Sequence, residues 1–189
     1  LSEYPFTPSG IKIGLARFSD FSTAPEKNLV TPFNSKAMTL FPQKINGKYA
    51  ALLTANTDLP PARICLAIFD KKEDIWSQIY WRKWYQNFSD HIVPLQRMNS
   101  DQLEVGAPPI LTKYGWLVIY AHIQHYSHPD QRIFGIEAVI LDCDDPQKII
   151  ARTDYPIMKP VEAYELKGIV PNIVFPSGAI LENDTVSLY

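Results

Sequence analysis

Residues 41–53 read Phe41-Pro42-Gln43-Lys44-Ile45-Asn46-Gly47-Lys48-Tyr49-Ala50-Ala51-Leu52-Leu53. An Asn-Gly pair before an apolar run signals a tight turn between antiparallel strands. The pattern returns twice. Pro42, Pro109 and Pro176 follow one another at a constant step of 67 residues. Behind them come the turns Asn46-Gly47, Tyr114-Gly115 and Asn183-Asp184, then strand-like runs at 48–54, 116–123 and 185–189. A second word recurs between these. Lys12-Ile13-Gly14-Leu15-Ala16-Arg17-Phe18 resembles Arg63-Ile64-Cys65-Leu66-Ala67-Ile68-Phe69, and 132–138 is a looser copy. Asp20, Asp70 and Asp142 follow the copies. One unit therefore reads proline, strand, tight turn, strand, loop, strand with a basic start, acidic turn.

A four-stranded antiparallel unit of this kind cannot bury both faces alone. Stacking such units around an axis buries them, so the expected fold is all-β, a β-propeller. The step is longer than a usual blade of about 40–50 residues, which puts the excess in loops. The segment 71–99 is the main insert, expected as a rim loop or short helix. Its Trp81, Trp84, Tyr85 and Phe88 follow helical spacing. Packing is the plain role for these rings, a sugar-stacking platform the other. Two full units and parts of two more imply a single partial propeller domain over 1–189, an incomplete set of about three blades. A closed propeller needs at least about four. The chain is thus expected to be an internal piece of a longer one, inactive by itself.

Composition bounds the function. The 189 residues are 46% hydrophobic and 20% charged with a net charge of −2, enough for a real core. Such a balance disfavours phosphate-backbone binding, so no nucleic-acid partner is expected. No apolar run approaches the roughly 18 residues of a membrane span. No signal-peptide pattern begins at Leu1, and a cytoplasmic protein is expected. Cys65 and Cys143 lie in apolar runs and read as buried thiols rather than a disulfide. His122, His125 and His128 are close in sequence, but strand alternation would point His122 and His125 to opposite faces. No metal and no cofactor are expected, and phosphate loops and nucleophile elbows are absent from the sequence.

Several words resemble glycoside hydrolase family 130, the β-mannoside phosphorylases and β-mannosidases built on a five-bladed propeller. They are Lys12–Phe21; Leu40-Phe41-Pro42-Gln43-Lys44-Ile45-Asn46-Gly47-Lys48-Tyr49; Val105-Gly106-Ala107-Pro108-Pro109-Ile110 with Gly115–Tyr120; Ala138–Asp145 with Ile150-Ala151-Arg152-Thr153; and Val170–Ala179. They occur in the family's order and span nearly the whole chain.

The resemblance implies a pocket on the propeller axis for a β-mannoside oligosaccharide. Phosphorylases of the family attack the anomeric carbon with inorganic phosphate as co-substrate and invert it; hydrolases use water. An aspartic acid donates the proton, and its blade is expected upstream of Leu1. Phosphate needs fixed cations. The lysine of the Phe-Pro-x-Lys word implies Lys44, with Arg17 as a second. Two departures weaken the phosphate site. Ala121 stands where the family usually has histidine, with His122 one residue off, and 53–56 lacks an arginine often found there.

The residues suggest further contacts. Asn56 and Asp58 sit where a strand enters its loop, where turn chemistry is the plain alternative. Glu104 precedes the Val-Gly-Ala-Pro-Pro word and could face the axis. Tyr120 could be core or pocket. Asn172, behind Pro171, could cap its own backbone or touch sugar. Glu137 interrupts an apolar run and must be paired or at a rim. The expected function is a carbohydrate-active enzyme that splits β-mannosidic bonds by phosphorolysis or hydrolysis. The alternative is a non-catalytic carbohydrate-binding or interaction module. Oligomeric state is left open.

Overall fold

The computed structural model describes residues 10–189, so the reading at Leu1 lies outside the described residues. Strands β1 (Gly14–Arg17) and β2 (Glu26–Leu29) pair as a hairpin. Strands β3 (Ser35–Leu40), β4 (Tyr49–Ala55) and β5 (Arg63–Phe69) form a sheet in chain order. Helix α1 (Gln78–Gln86) follows. A second sheet holds β6 (Gln102–Val105), β7 (Ile110–Thr112), β8 (Gly115–Gln124), β9 (Ile133–Leu141) and β10 (Ile149–Arg152). Its order is β10-β9-β8-β6, and β7 also pairs with β8. After a single helical turn, α2 (Ala163–Leu166), β11 (Ala179–Glu182) and β12 (Thr185–Leu188) make a last hairpin. The described residues are mostly β with few helices, and the pairings between the named strands are antiparallel, with one isolated parallel bridge between Phe134 and Ile173.

The turns follow their chemistry. Asn46 and Gly47 take φ values of 49° and 77°, which a two-residue hairpin of this twist requires. Ile45 and Lys48 exchange backbone hydrogen bonds of 2.9 Å across them. The strand read between proline and turn is present in the second and third copies, as β7 and β11, but no named strand lies between Pro42 and this turn. A strand comes before the proline, as β3, and its counterpart β6 begins the same step later at Gln102. Strand β3 carries no clean period of two, and β6 is too short for its period to stand out. In β3 the register shifts between Lys36 and Met38, with Ala37 at φ 49°. In β6 the residues Gln102-Leu103-Glu104-Val105 alternate polar and apolar, but the strand is only four residues long and all four are buried.

The two larger sheets share a core of Leu52, Ile64, Leu66, Val105, Val118, Tyr120 and Leu141. The other face of the first sheet packs Leu53, Cys65 and Phe69 against Trp81 and Trp84 of α1. Each buried indole N–H is satisfied, Trp81 by the Ile75 carbonyl at 2.9 Å and Trp84 by the Leu66 carbonyl at 3.1 Å. These two rings therefore build core. Cys65 is buried as expected, but Cys143 is exposed. Strand β9 ends at Leu141, and the Asp142 carboxylate accepts from the Asp144 and Asp145 N–H groups, turning the chain outward at the cysteine. Gly106 lets the Pro176 segment approach the second sheet. A Cβ there would lie 2.5 Å from Pro176 Cγ and 2.7 Å from the Ile119 carbonyl oxygen. Among the described residues no helix is long and apolar enough to cross a membrane.

Candidate functional site

Strand direction sorts the candidate residues. Lys44 lies in the turn joining β3 to β4, and Arg17 ends β1. Lys44 is exposed, its ammonium 4.4 Å from the Tyr49 ring centre. The Arg17 guanidinium stacks 4.6 Å over Trp76 and pairs with Glu26 at 3.1 Å. The other candidates gather at the opposite strand ends, where β4 and β8 finish and β5, β6 and β9 start. Asn56 follows β4 at φ 58°, and its side-chain oxygen accepts from the Tyr85 hydroxyl at 2.5 Å. Asp58 is exposed in the next turn. Asn172, at φ 57°, accepts from the Phe134 N–H at 3.0 Å beside the start of β9.

Glu104 sits in β6 with its side chain almost fully buried. It meets a lysine that the sequence did not single out: Lys36 Nζ is 2.5 Å from Glu104 Oε1. Lys36 belongs to β3, so the pair ties the first strands of the two larger sheets. The Val105 N–H, donating to Thr54 Oγ1 at 2.8 Å, fixes the same junction. A half-buried ammonium held by a buried carboxylate is a positioned cation, suited to a phosphate or a sugar oxygen. No periodic signal marked Lys36, because it stands at the β3 register shift.

Behind β6 lies a buried charged array. His122 places Nδ1 2.9 Å from Glu137 Oε1 and Nε2 3.0 Å from Asp101 Oδ2. These are ion-pair contacts, neither in line with its ring N–H. Arg97 Nε spans both Glu137 oxygens at 3.0 and 3.2 Å. The Tyr120 hydroxyl donates to Glu137 Oε2 at 2.9 Å. Tyr120 is therefore core, with its polar end inside the array. Burial pulls the His122 pKa down, but Glu137 and Asp101 outweigh it and the net shift is upward. Burial pushes Glu137 up, yet the His122 ring beside it and hydrogen bonds from Arg97 and Tyr120 bring it to about 2. Burial also raises Tyr120, with the Glu137 charge adding to it. Glu137 is thus paired, as its place in an apolar run required. Arg97 and Asp101 went unread because they lie in the loop before β6, where no pattern constrains them. Among the described residues no cluster of His, Cys, Asp or Glu could hold a metal ion.

Fold and site together define a mostly β protein of recurring antiparallel sheets, with charged groups gathered at one end of the strands. A family model described as beta-1,4-mannooligosaccharide phosphorylase matches residues 14–189. The chain belongs to glycoside hydrolase family 130. It is 32% identical over 182 residues to a 1,2-beta-oligomannan phosphorylase of Thermoanaerobacter sp. (strain X514), covering 94% of this chain and 54% of the relative. It is 32% identical over 186 residues to a beta-1,2-mannobiose phosphorylase of Listeria innocua, covering 95% and 47%. A solved complex of beta-1,2-mannobiose phosphorylase from Listeria innocua with beta-1,2-mannobiose superposes with a TM-score of 0.70 at 27% identity, covering 95% of this chain and 47% of that one. The chain spans about half the length of the curated relatives it matches.

Proposed function

We propose that this protein is a β-mannoside phosphorylase on a five-bladed propeller, to which the described sheets contribute about three blades. The observation that carries the reading is the family match along residues 14–189, with relatives named as β-mannoside phosphorylases. A phosphate oxygen attacks the anomeric carbon of the terminal mannose from the face opposite the glycosidic oxygen. That bond breaks, the leaving oxygen takes a proton, and mannose 1-phosphate forms with inversion. Glu104, Asp101 and Glu137 each face a cation, so none is assigned as proton donor. We place the phosphate-facing cation at Lys36, with Glu104 holding it and Asn172 and Asn56 at the same strand ends. Lys44 and Arg17 lie at the far ends.

Hydrolysis is the second reading, favoured by one feature. Ala121, where the resemblance leads one to expect histidine, is fully buried and pairs with Glu104 and Ile136. It offers no group to an anion. The deciding assay incubates the full-length protein with β-1,2-mannobiose, with and without inorganic phosphate. Mannose 1-phosphate should appear only with phosphate; equal mannose release in its absence overturns the phosphorylase reading. Lys36→Ala should raise the KM for phosphate about tenfold, the loss of about 1.4 kcal/mol of charge-assisted binding. Lys44→Ala should leave it unchanged, and the reverse result would return the anion site to Lys44.

A further inference from the structure

A cavity of about 240 Å³ opens beside the charged array. It is lined by Arg97, Asp101 and His122 of the array, by Ser100, Gln124 and His125, and by the largely exposed Met98. It is separate from the Lys36–Glu104 pair. Leu103 pairs with His122 and Glu104 with Ala121, so alternation sends His122 and Glu104 to opposite faces of the sheet. The φ of 52° at His125 turns the chain out of β8 at the cavity.

The charges here are already matched. Arg97 faces Glu137, and His122 lies between Glu137 and Asp101. An anion would meet the Asp101 carboxylate, and a cation would meet Arg97 and His122. The unengaged polar groups are Ser100, Gln124 and His125, whose side chains make no hydrogen bond among the described residues. A hydroxyl and an amide each donate and accept, as sugar hydroxyls do. The Met98 thioether is a soft apolar surface for the C–H face of a ring. The volume falls below the roughly 300 Å³ at which pockets for drug-sized ligands begin, which suits one ring. We propose that this cavity is a second carbohydrate site, binding a single neutral hexopyranose. The choice of mannose as that sugar rests on the mannoside reading above.

The chain has three methionines, and in 13C-methyl-methionine spectra of the full-length protein Met98→Leu identifies the signal from the cavity. Titration with D-mannose should shift the Met98 methyl saturably, whereas inorganic phosphate should not. Gln124→Ala and Ser100→Ala should each weaken that titration about tenfold, and Lys36→Ala should leave it unchanged. The Met38 and Met158 signals report whether each variant is folded. An unmoved Met98 methyl, a shift indifferent to both cavity variants, or a shift produced by phosphate would overturn the proposal. None of these outcomes depends on whether phosphate drives mannobiose cleavage, so the two readings fail separately.

Discussion

Leu53 and Tyr120 hold the same place in two sheets, one repeat step apart. Leu53 pairs across to Cys65, and Tyr120 pairs across to Glu137. The first slot is apolar and closed by Phe33, Trp81 and Trp84. The second is filled by the array of Arg97, Asp101, His122 and Glu137. The backbone frame is therefore indifferent to what fills the slot, provided the filling is complete. Helix α1 supplies rings to the first, while the loop before β6 supplies partners to the second. The two fillings differ in how they fail. An apolar slot loses stability in proportion to the volume removed. A charged slot loses it abruptly when one partner goes, because the others stay buried and unpaired.

Glu137→Ala tests this most directly and should have the largest effect. It strips the acceptor from Arg97 and the Tyr120 hydroxyl and the charge partner from His122 together. The expected loss is about 3–5 kcal/mol in urea unfolding. A loss under about 1 kcal/mol would mean that water replaces the carboxylate freely, and the contrast between the slots would collapse.

The array should also give the protein a pH signature that the apolar slot cannot. Glu137 is held at about 2, below its ordinary 4.5, so its contribution is complete above about 4.5 and fades as pH falls toward 2. His122 is shifted above its ordinary 6.5, so its contribution is complete below 6.5 and fades as pH rises through the folded value. Both act fully between about 4.5 and 6.5. Urea midpoints measured across pH should show a plateau there, and His122→Gln should flatten the alkaline fall. An alkaline limb unchanged in that variant would assign the fall to other groups.

How much of this was legible in the sequence differs between the slots. The step of 67 and the Asn-Gly turn exposed β4 and β8, because tight turns and apolar runs are local signals. The rings of α1 announced themselves by helical spacing, and Trp81 and Trp84 lie within α1. The array did not. Glu137 stood out as a carboxylate in an apolar run, but its partners come from a loop and a neighbouring strand. Long-range pairing has no local signature, and so Arg97 and Asp101 were invisible. Lys36 was hidden differently, by a register shift that erased the alternation around it. Lys44 was legible for the opposite reason: it sits beside a readable turn.

Smaller changes probe each slot by one oxygen. Tyr120→Phe removes a hydroxyl from the charged slot. Glu137 keeps Arg97 and His122, so the loss should be that of one hydrogen bond to a charged group, about 2 kcal/mol, read as a lowered urea midpoint at unchanged slope. An unaltered midpoint would make the tyrosine a spectator of the array.

Cys65→Ser is the mirror experiment, with the smallest expected effect. It adds hydrogen-bonding demand to the apolar slot with little change in volume. The thiol sits 3.9 Å from the Arg63 carbonyl oxygen, its hydrogen-bond partner, and burial raises its pKa, as expected for an inert thiol. A serine hydroxyl has a shorter bond to its oxygen and needs a closer acceptor. Reaching the Arg63 carbonyl would recover part of its desolvation, leaving a net loss of about 1 kcal/mol. Thermal unfolding of Cys65→Ser beside Tyr120→Phe compares the slots under one condition. If adding the hydroxyl at Cys65 costs more than removing it at Tyr120, the apolar slot is the less tolerant of the two, and the repeat frame is not indifferent to its filling.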